Sequence, residues 1–199
     1  MRQICALIIS CGCASICFAL PVTFTHEGSG SGTLGGNAFT TSFVITAQAD
    51  TNARVTADPG VYFIDHNAAQ IALSGIGTFA FTSPTRTFVN NPNMIVGFSR
   101  ANTDGADLFD GPVNPSFATW NMLTSIGPIS GSGELIQWTL AGSSQVTTTN
   151  GVLIFNNSQV AMARVTARVV PEPAAIFLGL GAALLWALGP RATPRRTGI

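Results

Sequence analysis

Residues 20–168 carry no long stretch of helical periodicity, and this most narrows what the chain can fold into. Short alternating or β-branched and aromatic runs dominate: VTFTH (22–26), AFTTSFVITA (38–47), VYFID (61–65), QIALS (70–74), GTFAFT (77–82), RTFVN (86–90), MIVGFS (94–99), LIQWTL (135–140), GVLIFN (151–156) and VAMARVTARVV (160–170). Turn formers punctuate them: Asp58-Pro59-Gly60, Ser83-Pro84, Asn91-Pro92, Gly111-Pro112, Asn114-Pro115, Gly142-Ser143-Ser144 and Asn150-Gly151. About ten short strands with such punctuation predict an all-β fold, a β-sandwich or jelly-roll-like single domain over 20–169. In the last run one parity (Ala161, Ala163, Val165, Ala167, Val169) is expected to be buried. The other carries Arg164 and Arg168, and the strand stops just before Pro171.

Nothing covalent reinforces that domain. The four cysteines, Cys5, Cys11, Cys13 and Cys17, all lie in the first 17 residues, so burial and strand pairing must hold the rest. Charged residues are only 9% of the chain, and all nine basic residues are arginine. Residues 20–168 hold five arginines against eight acids, a net −3. A mildly acidic body is a poor match for phosphate, so nucleic acid is not an expected partner.

The two ends differ from the body. Residues 1–19 place Arg2 before an uncharged apolar run, Ile4 to Phe18, with Cys17 and Ala19 as small residues before a cut after Ala19. That is the pattern of a secretory signal peptide. A retained anchor would need roughly 20 apolar residues, more than this run supplies. A lipoprotein cut at Cys11 would put Ile9 where a small residue is preferred. At the other end, Pro171-Glu172-Pro173 is biased to extended geometry, because each proline fixes φ and lacks an N–H. An uncharged apolar stretch, 174–189, comes next with Trp186 near its end, then Pro190 and the cluster Arg191, Arg195 and Arg196. As a helix it would measure about 24 Å, short of the ~30 Å hydrocarbon core. Flanking arginines favour the cytoplasmic side, which leaves the body outside.

These three parts in order resemble the PEP-CTERM sorting signal of Gram-negative bacteria, over residues 170–196. The resemblance implies recognition by an exosortase, a membrane-embedded enzyme. It implies processing near Pro171-Glu172-Pro173 and release of the body to the cell surface or extracellular matrix. It also implies an association with exopolysaccharide and biofilm. An ordinary tail anchor would account for the apolar run and arginines but not for the two prolines around Glu172.

Within the body, GSGTLG (30–35) matches G-x-G-x-x-G, with Asp50 twenty residues after Gly30. The residues after the motif are strand-like rather than a helix start, so the phosphate-binding geometry is missing. The segment is expected to be a glycine-serine loop or wide hairpin, and no cofactor is expected. Asp104, Asp107 and Asp110 with Asn102 form an acidic stretch around Gly105 and Gly111, a weak candidate for calcium. The spacing is not that of an EF-hand, and a solvated loop is the plainer expectation. His26 and His66 are the only histidines; each sits near an expected strand end, His66 in a turn. There is no G-x-S-x-G, and without lysine there is neither a P-loop nor a lysine nucleophile. Trp120, Trp138, Tyr62, Phe109 and Phe117 could stack on sugars but are expected in the core. The expectation is a non-enzymatic exported protein, with a carbohydrate- or calcium-binding module as the alternative and a secreted hydrolase ranked below both.

Overall fold

A computed structural model describes residues 20–101, 105–139 and 145–170. They form thirteen strands and two short 3₁₀ turns. The strands are β1 (Pro21–Leu34), β2 (Asn37–Asp50), β3 (Val55–Asp58), β4 (Val61–Asp65), β5 (Ala68–Leu73), β6 (Gly77–Ala80), β7 (Thr85–Asn90), β8 (Ile95–Arg100), β9 (Asp107–Val113), β10 (Ile126–Leu135), β11 (Thr147–Thr148), β12 (Gly151–Phe155) and β13 (Ser158–Val169). The 3₁₀ turns are Thr51–Ala53 and Pro115–Phe117. The all-β expectation holds: the main sheet is antiparallel and runs β3-β4-β7-β8-β9-β10-β13-β1-β2-β5-β6.

The sheet curls until its halves pack face to face, giving a β-sandwich-like body. Ring contacts cross the interior from β1 and β2 to β8 and β9. Phe43 meets Phe109 edge-on at 5.3 Å, and His26 meets Phe98 at 5.9 Å. Two core clusters result. One gathers Phe43, Phe98, Phe109, Trp138 and Phe155; the other gathers Phe24, Ile64, Val89, Phe117, Trp120 and Met122. Each fully buried side chain of this size contributes about 1.5–3 kcal/mol relative to exposure.

β1 and β2 set the frame. They pair at every residue from Pro21↔Asp50 to Leu34↔Asn37. Gly35 and Gly36 make the two-residue turn at φ of 56° and 85°. Hairpin turns of this length need positive φ at both positions, which glycine adopts without a steric penalty. Of the two expectations for residues 30–35, the hairpin is what forms, with a tight rather than a wide turn: 30–34 are strand and Gly35 is in the turn. The alternation of β1 is intact, but glycine stands where a core residue would: Val22, Phe24, His26 and Leu34 are buried, and Gly28, Gly30 and Gly32 share their parity. A Cβ on Gly28 would lie 2.7 Å from the Phe43 ring, and one on Gly32 would lie 2.0 Å from the Ile154 carbonyl oxygen. These glycines admit large neighbours rather than phosphate.

At the hairpin end a small ring closes. β12 pairs with β1 through Gly32–Leu34 and with β11. Phe81 bridges to Thr148, and Thr149 N–H donates to the Ala80 carbonyl at 2.9 Å. Among the described residues, β1-β2-β5-β6-β11-β12 thus returns to β1.

Three sequence expectations change. Of the described residues 135–139, Leu135 alone is in a strand. The segment after it is held by side chains instead: the Trp138 indole N–H donates to the Leu108 carbonyl at 2.7 Å, and the Arg100 guanidinium donates to the Gln137 carbonyl at 2.7 Å. β9 forms where the acidic stretch and Gly111-Pro112 lead to the expectation of a loop and a turn, and β10 forms where no strand is expected. In β13, Ala163, Val165 and Ala167 are buried as expected, but Ala161 is exposed and Val160 buried. An irregularity in the register with β10, between Gly131 and Gly133, exchanges the faces there.

Candidate functional site

Several residues singled out by sequence lie outside the described residues: Ala19, Asn102, Asp104, Pro171, Glu172, Pro173, Arg191, Arg195 and Arg196. The fold does show where the segments bearing the two ends attach. β1 begins at Pro21 and β13 ends at Val169, and the two pair with Val22 opposite Val169. Val170 N–H donates to the Pro21 carbonyl at 2.9 Å. The chain therefore enters and leaves the domain side by side.

More backbone gathers around that point. Thr51 N–H donates to the Leu20 carbonyl at 3.1 Å, and Arg54 N–H to the Thr51 carbonyl at 3.2 Å. The Arg54 guanidinium donates to the Asn121 carbonyl at 3.2 Å and lies 4.8 Å from the centre of the Tyr62 ring. Ser125 Oγ accepts from Val169 N–H at 2.9 Å. One pole of the domain is thus built from the start of β1, the turn after β2, the segment before β10 and the end of β13.

The acidic stretch was expected as a solvated loop. Asp107 and Asp110 instead lie on β9, and Asp110 pairs with Glu134 of β10. Like charges opposite each other in a sheet repel. Burial raises the Asp107 carboxyl to about 6, with the Arg86 guanidinium pulling the other way. Burial, then the charges of Asp107 and Glu134, raise Asp110 to about 7. Asp110 Oδ1 is buried without a hydrogen-bond partner in the structure, and Gln159 Nε2 donates to Glu134 Oε2 at 2.7 Å. A crevice of about 120 Å³, lined in part by Asp110, Ser132, Glu134 and Gln159, opens here. Among the described residues no three His, Cys, Asp or Glu side chains are grouped to hold a metal ion.

One histidine stands elsewhere than expected: His26 is mid-strand in β1 and fully buried. His66 lies, as expected, at a strand end, directly after β4 in the short connection to β5, and forms one wall of a cleft of about 240 Å³ with Asn67, Phe81, Thr82, Ser83 and Thr85. Thr87 Oγ1 sits between the two rings, 3.0 Å from His26 Nε2 and 2.9 Å from His66 Nε2. Thr85 Oγ1 lies 2.9 Å from His66 Nδ1. Donor counting orders the chain. His26 Nδ1 is buried without a partner. A lone pair left there costs less than an N–H left there. His26 Nε2–H therefore donates to Thr87, Thr87 O–H to His66 Nε2, and His66 Nδ1–H to Thr85. Both imidazoles are neutral. Burial lowers each from 6.5 to about 3, and for His66 the neighbouring His26 adds to this. The rings around them are aromatic: His26 meets Phe98 and Phe109, and His66 meets Phe24 and Phe98.

The aromatic candidates for sugar stacking are core. Phe109, Phe117, Trp120 and Trp138 are buried, and half-buried Tyr62 lies beneath Arg54. Sequence reasoning missed Glu134, Thr85 and Thr87: the register of β9 with β10 brings Glu134 to Asp110, and β7, paired with β4 and packed against β1, brings the threonines to the histidines. No protein-family model, curated protein or solved structure matches the chain.

Proposed function

We propose that the chain is an exported, non-enzymatic passenger of the cell surface or extracellular matrix. A signal peptide over residues 1–19 sends it across the inner membrane. The segment 170–196 holds it there as a transmembrane helix until an exosortase acts near Pro171, Glu172 and Pro173. Arg191, Arg195 and Arg196 keep the far end on the cytoplasmic side. The PEP-CTERM resemblance assigns the processing step and the association with exopolysaccharide and biofilm.

One structural observation supports this reading. The described strands run from Pro21 to Val169, between the two proposed addresses, and the domain presents both attachment points at one pole. A passenger held by one or both ends can then fold on one side of a membrane without threading its chain around itself. Mass spectrometry of protein recovered from producing cells and from their surroundings tests the proposal. The expected released form begins at Leu20 and ends near Pro171. Released material that still carries Arg196 would overturn it.

A further inference from the structure

We infer that the pole where β1 begins and β13 ends is a lipid-facing surface, resting on the bilayer while the chain is anchored. The inference deepens the proposed function and rests on its reading of 174–189 as membrane-embedded. Distance is decisive. Val170 still donates its N–H to Pro21 and so belongs to the domain. Only Pro171, Glu172 and Pro173 separate it from the apolar stretch. Fully extended, the four steps from Val170 to Ala174 span about 13 Å. The polar layer on each side of the hydrocarbon is about 5–8 Å thick. The pole cannot then stand more than about 8 Å above the headgroups, less than the diameter of one helix.

The side chains there suit that position. Leu123 and Val170 are 38% and 52% exposed, and Val55, next to Arg54, is 44% exposed. Tyr62 and Arg54 stack beside them, an aromatic ring and a cation of the kinds favoured at membrane interfaces. Ile76 and Met162 are exposed too. Exposure alone therefore does not select this pole; the short tether does.

The test uses the full chain with its four cysteines changed to serine. Single cysteines are introduced by Leu123→Cys, Val55→Cys or, beside the distant hairpin turn, Asn37→Cys, and each carries an environment-sensitive fluorophore. The protein is reconstituted into phosphatidylcholine–phosphatidylglycerol vesicles containing headgroup spin-labelled lipid in both leaflets. Asn37 stands 14 residues along β1 from the pole by register, opposite Leu34, so about 40 Å away. The expected result is quenching at 123 and 55 several-fold stronger than at 37. Equal quenching at all three, in protein that floats with the vesicles, overturns the inference and leaves anchoring intact. Protein that does not float with the vesicles overturns both. Labelling at two pole positions guards against one substitution disturbing the fold.

Discussion

Acid should reveal the balance between the buried histidines and the β9 carboxyls. A base whose folded value is depressed stabilises the fold above its unfolded value and loses that contribution as pH falls. For His26 and His66 the window runs from 6.5 down to about 3. Between pH 7 and 5 the pair should together cost about 4 kcal/mol, at 1.36 kcal/mol per unit for each. Carboxyls with raised values act oppositely: their contribution is complete below 3.8 and disappears as pH rises through about 6 for Asp107 and about 7 for Asp110. On going from pH 7 to 5 they should return about 2–3 kcal/mol, after discounting for their partial exposure to solvent. Wild-type stability should thus fall by only about 1–2 kcal/mol between pH 7 and 5. From 3.8 down to about 3 the acids return progressively less while the histidines still lose, so stability should fall by about 1–2 kcal/mol per pH unit and level off below about 3. Replacing Asp107 and Asp110 by Asn removes the compensation, so that variant should lose about 4 kcal/mol between pH 7 and 5. Guanidinium midpoints at pH 7, 5 and 3.5 measure this. A double variant as insensitive to pH as wild type would refute the reasoning. So would histidine proton resonances that titrate near 6.5 in the folded protein.

The remaining predictions concern packing and processing. Gly32→Ala places a Cβ against the Ile154 carbonyl and should cost about 1–3 kcal/mol by denaturant midpoint, while outward Ser29→Ala should change stability by less than about 0.5 kcal/mol. Gly36→Ala, at φ 85°, should cost about 1–2 kcal/mol in the same assay, with no change in core fluorescence. Trp138→Phe removes the indole donor from the buried Leu108 carbonyl, which keeps the Ile136 N–H at 3.2 Å, and should cost about 0.5–1.5 kcal/mol for the lost hydrogen bond. Glu172→Ala should leave export intact but hold the precursor in the membrane fraction, read by fractionation and blotting; normal release would count against the sorting proposal.

Alternation made much of the fold legible. β2, β4, β7 and β12 carry β-branched or aromatic residues in runs bounded by turn formers, and they lie within a few residues of where the pattern places them. β10 was hidden because IGPISGSGEL has little to bury. Gly131 and Gly133 lie against the backbone of β9, where a Cβ on Gly133 would be 2.6 Å from the Asp110 carbonyl oxygen. β9 was hidden because three Asp residues within seven positions read as a solvated loop. Two of them instead sit in a strand whose other side chains, Leu108 and Phe109, enter the core. The histidine chain was hidden for another reason. His26 and Thr87 are 61 residues apart, and only packing of β1 against β7 makes them neighbours.

β1 is where core, polar chain and termini meet. Its inward parity carries apolar residues at Val22 and Phe24, a neutral polar group at His26, empty volume at the glycines, and Leu34 before the turn. Two aromatic core clusters meet along it, Phe24 in one and Leu34 in the other, with His26 between them bonded across to Thr87. A hydrocarbon at position 26 would pack with Phe98 and Phe109 but leave Thr87 with only His66. A slip of β1 by one residue would turn its whole inward set outward and separate the three groups. The polar chain therefore penalises alternative registers that apolar packing alone would tolerate. The same register places Val22 opposite Val169. The pairing that closes the core also brings the two ends of the domain together.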